Sequence, residues 1–334
     1  MTSNAYELAG VNIDASNRAK TLMTAAVQST YSKEVLSGIG AFGGLFDASA
    51  LKGMQSPVLV ASTDGVGTKT KVAARLNRWE SIGHDLVNHS INDILVQGAR
   101  PLFFLDYVAS SQVQPEQIAL VVAGVAAACK EAGCALLGGE TAEMPGVYLA
   151  GEIDLAGTII GVVERGQIID GSRIQAGDVI VGFPSTGLHT NGFSLARRVL
   201  DELDWSTEMP ELGGTIGDAL LTVHRSYIPT VEQLQAAGVD IKGLAHITGG
   251  GLIENPPRIF PEGIGAVIKR GSWKVPAIFE LIQELGHVSD AEMFRVFNMG
   301  LGMIAIISRE QASLLPAEYP IVGEMVRGTG VTIT

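Results

Sequence analysis

The chain is 334 residues long, 46% hydrophobic and 17% charged, with 41 glycines and a net charge of −12. Length and apolar content allow one large core or two ordinary ones, and they exclude disorder, which needs low hydrophobicity and dense charge. The acidic balance makes duplex nucleic acid an unsuitable partner. Any phosphate ligand must then be held locally, by backbone N–H groups of Gly-rich loops, an isolated lysine, or divalent cations on carboxylates.

The first residues, Met1 to Glu7, have no basic region leading into an apolar core, so no export signal is expected and the cytoplasm is the expected location. Short apolar runs then recur along the chain: Val58–Ala61, Leu102–Tyr107, Ala135–Leu137, Ile153–Val163, Asp178–Phe183, Ala245–Ile247, Ile264–Ile268 and Met303–Ile307. Most run into a Gly-rich or polar cluster, the pattern of strands ending in loops. Helical stretches alternate with them. One is expected from about Glu80 to Gln97, and another from Pro115 to Ala132, bounded by the proline and by Gly133. A third begins near Phe193, and Ser289 with Glu292 reads as a capping box opening a fourth. The alternation predicts a mixed α/β fold.

The polar stretch Gly166–Gly177 breaks the pattern and suggests a domain boundary, dividing the chain into 1–168 and 169–334. The longest apolar run, Ile118–Cys129, is far short of the ~20 residues of a membrane span, so no membrane association is expected. Two cysteines, Cys129 and Cys134, make no disulfide framework and no metal spacing.

Five segments carry candidate chemistry. Ala61-Ser-Thr-Asp-Gly-Val-Gly-Thr-Lys69 leaves a strand and offers Asp64 for a divalent cation, Gly65 and Gly67 for close backbone approach to phosphate, and Lys69 for its charge. It lacks Walker A spacing, and the same residues would also serve a plain strand-to-helix turn. On the helix from Glu80, one half of the wheel is Leu86, Val87, Ile91, Ile94 and Leu95. The other is His84, Asp85, Asn88, His89, Asn92 and Asp93. Those polar residues are poor helix formers but good ligands, unlike the Lys and Glu of a solvated face, so this half reads as facing a ligand or as satisfied within an interface.

Leu137-Gly-Gly-Glu-Thr-Ala-Glu-Met-Pro145 brings Glu140 to a strand end, where it can join Asp64 and Asp93 around Mg²⁺ or simply face solvent. Pro184-Ser-Thr-Gly-Leu-His-Thr-Asn-Gly192 supplies His189 and Asn191 ahead of a helix, and His246-Ile-Thr-Gly-Gly-Gly251 adds a second histidine on a loop after a strand. No G-x-S-x-G nucleophile motif and no zinc pattern occurs. Read alone, these residues support a Mg²⁺-dependent phosphate or nucleotide site.

Taken in order, the motifs resemble the phosphoribosylformylglycinamidine cyclo-ligase (AIR synthetase) family of purine synthesis. The resemblance spans nearly the whole chain, from Ala9-Gly-Val-Asn-Ile-Asp-Ala15 and Gly40-Ala-Phe-Gly-Gly-Leu-Phe46 through the five segments above, with Asn92-Asp-Ile-Leu-Val-Gln-Gly98 and Pro101-Leu-Phe-Phe-Leu-Asp-Tyr107 between them. It departs from the family at Asn12 and Ser16, where an Asp and a Gly are usual, and a lysine common further on has no counterpart. The resemblance implies two α/β domains, the first forming a β-barrel with its copy in a homodimer and the second an α/β sandwich. It implies ATP-dependent ring closure of formylglycinamidine ribonucleotide, with ATP and Mg²⁺ as cofactors.

Its implied site has Asp64, Asp93, His189 and His246 in catalysis, and Asp64, Asp93 and Glu140 on the metal. Nucleotide contacts fall on Gly43, Gly44, Thr63, Gly65, Gly67, Thr68, Lys69, Asn92, Gly138, Gly139, Asn191, Thr248, Gly249 and Gly250. Relatives by fold, of the thiamine-monophosphate kinase or selenophosphate synthetase type, and a non-catalytic nucleotide-binding scaffold are the alternative readings.

Overall fold

A computed structural model describes residues 9–334, so the leading segment read for an export signal lies outside the described residues. The chain divides into two compact units. One comprises the described residues up to Ile94 together with Ala99–Gly166, and the other Leu95–Gly98 with Gln167–Thr334.

The first unit holds helix α1 (Ile13–Gln28), strand β1 (Pro57–Gly65), helices α2 (Lys69–Leu76) and α3 (Glu80–Leu95), strand β2 (Arg100–Ser110), helix α4 (Pro115–Glu131) and strands β3 (Ala135–Glu143) and β4 (Ile153–Glu164). Asn12 opens α1 as an N-cap, its Oδ1 accepting from Ala15 N–H, which satisfies one orphan donor of the first turn. The four strands form an open sheet in the order β1-β4-β2-β3, with β2 and β3 parallel and the other pairs antiparallel. No closed barrel occurs among the described residues of the single chain; the fold is a mixed α/β one.

The sheet has two unlike faces. Val60, Phe104, Val108, Leu155 and Ile159 are buried and share the face on which Gly157 meets Phe104 and Leu86 of α3; an added Cβ there would lie 2.2 Å from the Phe104 ring. Residues of opposite parity, such as Leu59, Ala61 and Tyr107, stand on the other face, where Leu59 is 65% exposed. Register fixes what shares the helix-covered face: Asp64 pairs with Gly157, Gly157 with Asp106, and Asp106 with Gly139.

The second unit contains β5 (Val179–Pro184), α5 (Phe193–Val199), the short strands β6 (Glu208–Met209) and β7 (Gly214–Thr215), α6 (Ile216–Leu221), α7 (Ile228–Ala236), β8 (Ile241–His246), α8 (Gly251–Glu254), β9 (Ile264–Ile268), α9 (Ala277–Gly286), α10 (Asp290–Val296), β10 (Leu301–Ile307), β11 (Ile321–Arg327) and β12 (Val331–Ile333). Its six-stranded sheet runs β12-β9-β11-β5-β10-β8, antiparallel except for the β12–β9 pair. All seven residues of β10 are buried, as expected of a central strand covered on both faces. Val181, Phe183, Tyr227, Leu234, Leu244, Met303 and Ala305 form part of its core. Ser289 caps α10, accepting from Glu292 N–H. No described helix is long and apolar enough to cross a membrane.

Candidate active site

In the first unit the site is built where β1 turns into α2. Gly65 is required there because any Cβ would sit 2.7 Å from Leu155 O, and Gly67 has φ +55°, a left-handed conformation open to glycine. The turn faces the polar half of α3, most of which is buried: Asp85, Asn88, His89 and Asn92 are all under 7% exposed, like Leu86, Val87 and Ile91 of the apolar half, whereas His84 and Asp93 are half-buried. That half, expected to face a ligand or to be satisfied within an interface, packs against the β1 turn through Asp85 and His89.

The histidine at the centre is His89. Its Nε2 lies 2.8 Å from Asp64 Oδ2 and 3.8 Å from Asp93 Oδ2, so two acids 29 residues apart meet at one imidazole nitrogen. Ser62 Oγ donates to the same Asp93 oxygen at 3.1 Å. Burial favours the neutral His89 ring, but the hydrogen bond to Asp64 and the charges of Asp93, Asp64 and Asp85 outweigh it and hold the pKa above its usual value. The Asp64 side chain is 50% exposed and that of Asp93 26%, so both carboxylates remain within reach of a ligand.

Other expected contacts fall elsewhere. Lys69 is fully buried, its Nζ 2.8 Å from Asp85 Oδ2, and burial lowers its pKa against the opposing pull of that carboxylate. The isolated cation expected to face phosphate is therefore an internal ion pair joining the start of α2 to α3. Glu140, expected as a third metal ligand, does not join the other two acids in this chain. It is exposed, lies on β3 three strand positions from Asp64, and by alternation with Gly139 points to the opposite face of the sheet. Thr63 also faces that side and bonds Thr158 Oγ1 at 2.8 Å.

Thr68 directly precedes α2, and Asn92 is buried on α3. Gly44 packs on Leu137, Gly43 is open, Gly138 lies beside Leu105, and Gly139 sits beneath the Asp106 carboxyl, where a Cβ would clash with Oδ1.

In the second unit, a cleft of about 700 Å³ is lined by Gly192, Gly249, Gly250, Glu254, Ser289 and Arg295 among others. Asn255 ties the glycine turn beside it, accepting from Thr248 N–H at 2.9 Å and donating to Gly249 O at 3.1 Å. Asn191, half-buried, has its Oδ1 3.4 Å from where a Cβ on Gly249 would stand. His189 and His246 do converge, through a residue the motif reading passed over. His224 stacks on His189 with ring centroids 4.0 Å apart, and its Nε2 lies 3.1 Å from His246 Nε2. His224 lies in no motif, so only the fold could reveal it; His89 was visible on the polar half of α3, four residues before Asp93.

Comparison with known proteins fits both units. Residues 46–163 match the N-terminal domain of AIR synthase related proteins, and residues 175–334 match the C-terminal domain. The phosphoribosylformylglycinamidine cyclo-ligase of Desulfitobacterium hafniense strain DSM 10664 / DCB-2 is 53% identical over 96% of this chain and 94% of its own. The chain belongs to the phosphoribosylformylglycinamidine cyclo-ligase family. The Geobacillus kaustophilus enzyme of the same name is 50% identical, covering 99% of this chain and 98% of its own.

Among solved structures, E. coli HypE, a hydrogenase maturation protein, shares the fold at TM-score 0.68 with 17% identity, over 95% of this chain and 93% of its own. Thiamine-monophosphate kinase from Stenotrophomonas maltophilia K279a does so at TM-score 0.65 with 18% identity, over 97% and 96%. At such identities the likeness concerns the fold alone.

Proposed function

We propose that this chain is the cyclo-ligase its relatives are named for, converting formylglycinamidine ribonucleotide to aminoimidazole ribonucleotide with hydrolysis of ATP to ADP and phosphate. The observation that carries the reading, beside family membership, is the meeting of Asp64 and Asp93 at His89 beneath a glycine turn. A HypE structure in complex with ATP has the same fold and supports ATP as the nucleotide here. An amide oxygen is a poor leaving group, and its phosphorylation makes it a good one, after which the amidine nitrogen attacks the activated carbon and closes the imidazole. Phosphoryl transfer depends chiefly on positioning and charge neutralisation, so it asks for aimed backbone donors and carboxylates that hold a cation.

The donor set fits Mg²⁺: two partly exposed carboxylates, all oxygen, with room for water and phosphate as further ligands. Asp64 and Asp93 would hold the ion, which when bound neutralises charge on the transferring phosphoryl group. His89 orients Asp64, Ser62 orients Asp93, and the Lys69–Asp85 pair fixes the turn that presents them. In the second unit His246 is the proton carrier. His189 is assigned to shaping its loop, because its Nε2 already accepts the Thr186 N–H at 3.2 Å.

The chain is further proposed to act in the cytoplasm as a homodimer, joined through the exposed sheet face of the first unit, whose two copies complete a shared barrel. The decisive assay incubates the protein with ATP, Mg²⁺ and the formylglycinamidine ribonucleotide and follows ADP together with the new imidazole. ADP formation without imidazole, or with thiamine monophosphate as the acceptor, would place the chain with its relatives by fold.

A further inference from the structure

The second unit buries three of the chain's six histidines in one cluster. His189 is 1% exposed, His224 0% and His246 7%. Burying this many titratable rings together is costly unless each nitrogen is used, and the contacts show how His224 uses both of its own. Its Nε2 is 3.1 Å from His246 Nε2, so one of the two nitrogens carries a proton and the other accepts it. Its Nδ1 is 3.3 Å from Thr190 Oγ1, a hydroxyl that can turn to donate or to accept. His224 is therefore satisfied in either tautomer. It can give a hydrogen bond to His246 or take one, according to what His246 holds.

The ring is also held in plane. His189 stacks on it at an interplanar angle of 20°, and His189 itself is fixed by the Thr186 backbone and by a left-handed φ of 62°, uncommon for a residue with a Cβ. Gly302 beneath makes this possible. A Cβ there would lie 2.4 Å from His189 Cε1 and 2.0 Å from the Tyr227 hydroxyl, which bonds Pro184 O. The chain thus accepts backbone strain at His189 and a bare backbone at Gly302 to seat one stacked ring against His246.

We infer that His224 is a positioning residue: it holds the His246 ring by a nitrogen-to-nitrogen hydrogen bond and, clamped between His189 and Thr190, fixes the orientation in which His246 meets substrate while following either tautomer of that ring. The inference rests on the assignment of proton handling to His246. A misplaced proton carrier lowers turnover rather than nucleotide affinity, since misplacement of about 1 Å can lose a factor of roughly a hundred.

The test uses the full-length protein and compares His224→Phe, His224→Gln and His246→Ala. Phe keeps a stacked ring without nitrogens. Its expected effect is a fall in kcat on the order of tenfold to a hundredfold, with the KM for ATP within about twofold of the parent. Gln loses the stack but offers an amide able to donate or accept, and it should retain a clearly larger kcat than Phe. With ¹⁵N-labelled histidine, the N–H···N coupling between residues 224 and 246 should be seen in the parent and lost in the Phe variant. A Phe variant with parental kcat, beside an inactive His246→Ala, overturns the role of His224 alone. Parental activity in His246→Ala overturns the assignment beneath it. If the Phe variant does not fold, the Gln variant decides: a kcat below the parent's but clearly above that of His246→Ala supports the role, and a parental kcat, or one as low as that of His246→Ala, overturns it.

Discussion

At the scale of single residues the site turns on acids whose surroundings differ. Asp64 and Asp93 are open enough to take a cation and are steadied by His89 and Ser62. Asp64→Asn and Asp93→Asn should each lower turnover by two orders of magnitude or more, since lost charge stabilisation at a phosphoryl group is worth several kcal/mol. Melting temperature should stay close to the parent's, and near-normal ADP release in both variants would remove these residues from the site.

Asp106 is the opposite case. Its carboxyl lies over Gly139, and burial pushes its pKa up to about 7, with a hydrogen bond from its own backbone opposing. In the unfolded chain the group titrates near 4. Between those values the native state keeps a proton that the unfolded chain has lost. Stability is thus full below about pH 4 and declines as pH rises through 7, by up to about 4 kcal/mol. Asp106→Asn should raise the melting temperature at pH 8 and leave it nearly unchanged at pH 4; equal shifts at both pH values would refute the raised pKa of this half-buried acid.

At the scale of elements, α2 and α3 are joined by Lys69 and Asp85, both wholly buried. Removing one partner of such a pair leaves an uncompensated charge, so Lys69→Ala should cost roughly 3–5 kcal/mol in urea unfolding. The apolar double variant Lys69→Met with Asp85→Leu should recover most of it. Recovery of stability without recovery of turnover would show that the pair's value lies in holding the glycine turn rather than in holding the fold.

The same pair marks how far the sequence could be read. Each of the eight apolar runs overlaps a strand, because burial on at least one face leaves a direct imprint on composition. β11 and β12 left a weaker one: the first mixes Gly, Glu and Arg into its apolar residues, and the second is three residues long. Lys69 after a glycine turn looks like a free cation until Asp85, sixteen residues on, is seen beside it. Glu140 looked like a ligand because one position of register decides the face a side chain takes, and register belongs to the sheet, not to the segment. The motifs single out Asp64 and Asp93 as candidates, but that the two meet at His89 is visible only in the fold.

At the scale of the whole molecule, the helices packed on the first unit's sheet lie on one face among the described residues. Its other face presents Leu59, 65% exposed, with Phe103, Leu105 and Tyr107 half-buried beside it; β1 and β3 are the sheet's edges. Loops of the same unit also expose Phe42, Leu45 and Leu149. An apolar surface of this kind is more than a monomer usually leaves to water, and open strand edges invite pairing with another chain. A second copy is the occupant that the proposed shared barrel requires, because two open four-stranded sheets laid face to face bury both surfaces at once. Sedimentation at assay concentration should therefore give twice the 35.0 kDa mass of the chain. Leu59→Glu with Tyr107→Glu should shift the equilibrium toward monomer, since each dimer would bury four carboxylates without partners. Asp64 and His89 lie on the far side of the sheet from that face, so the substitutions should leave the Asp64–His89 hydrogen bond intact. A parent protein that sediments as a monomer at tens of micromolar would end the shared-barrel architecture, whatever its activity.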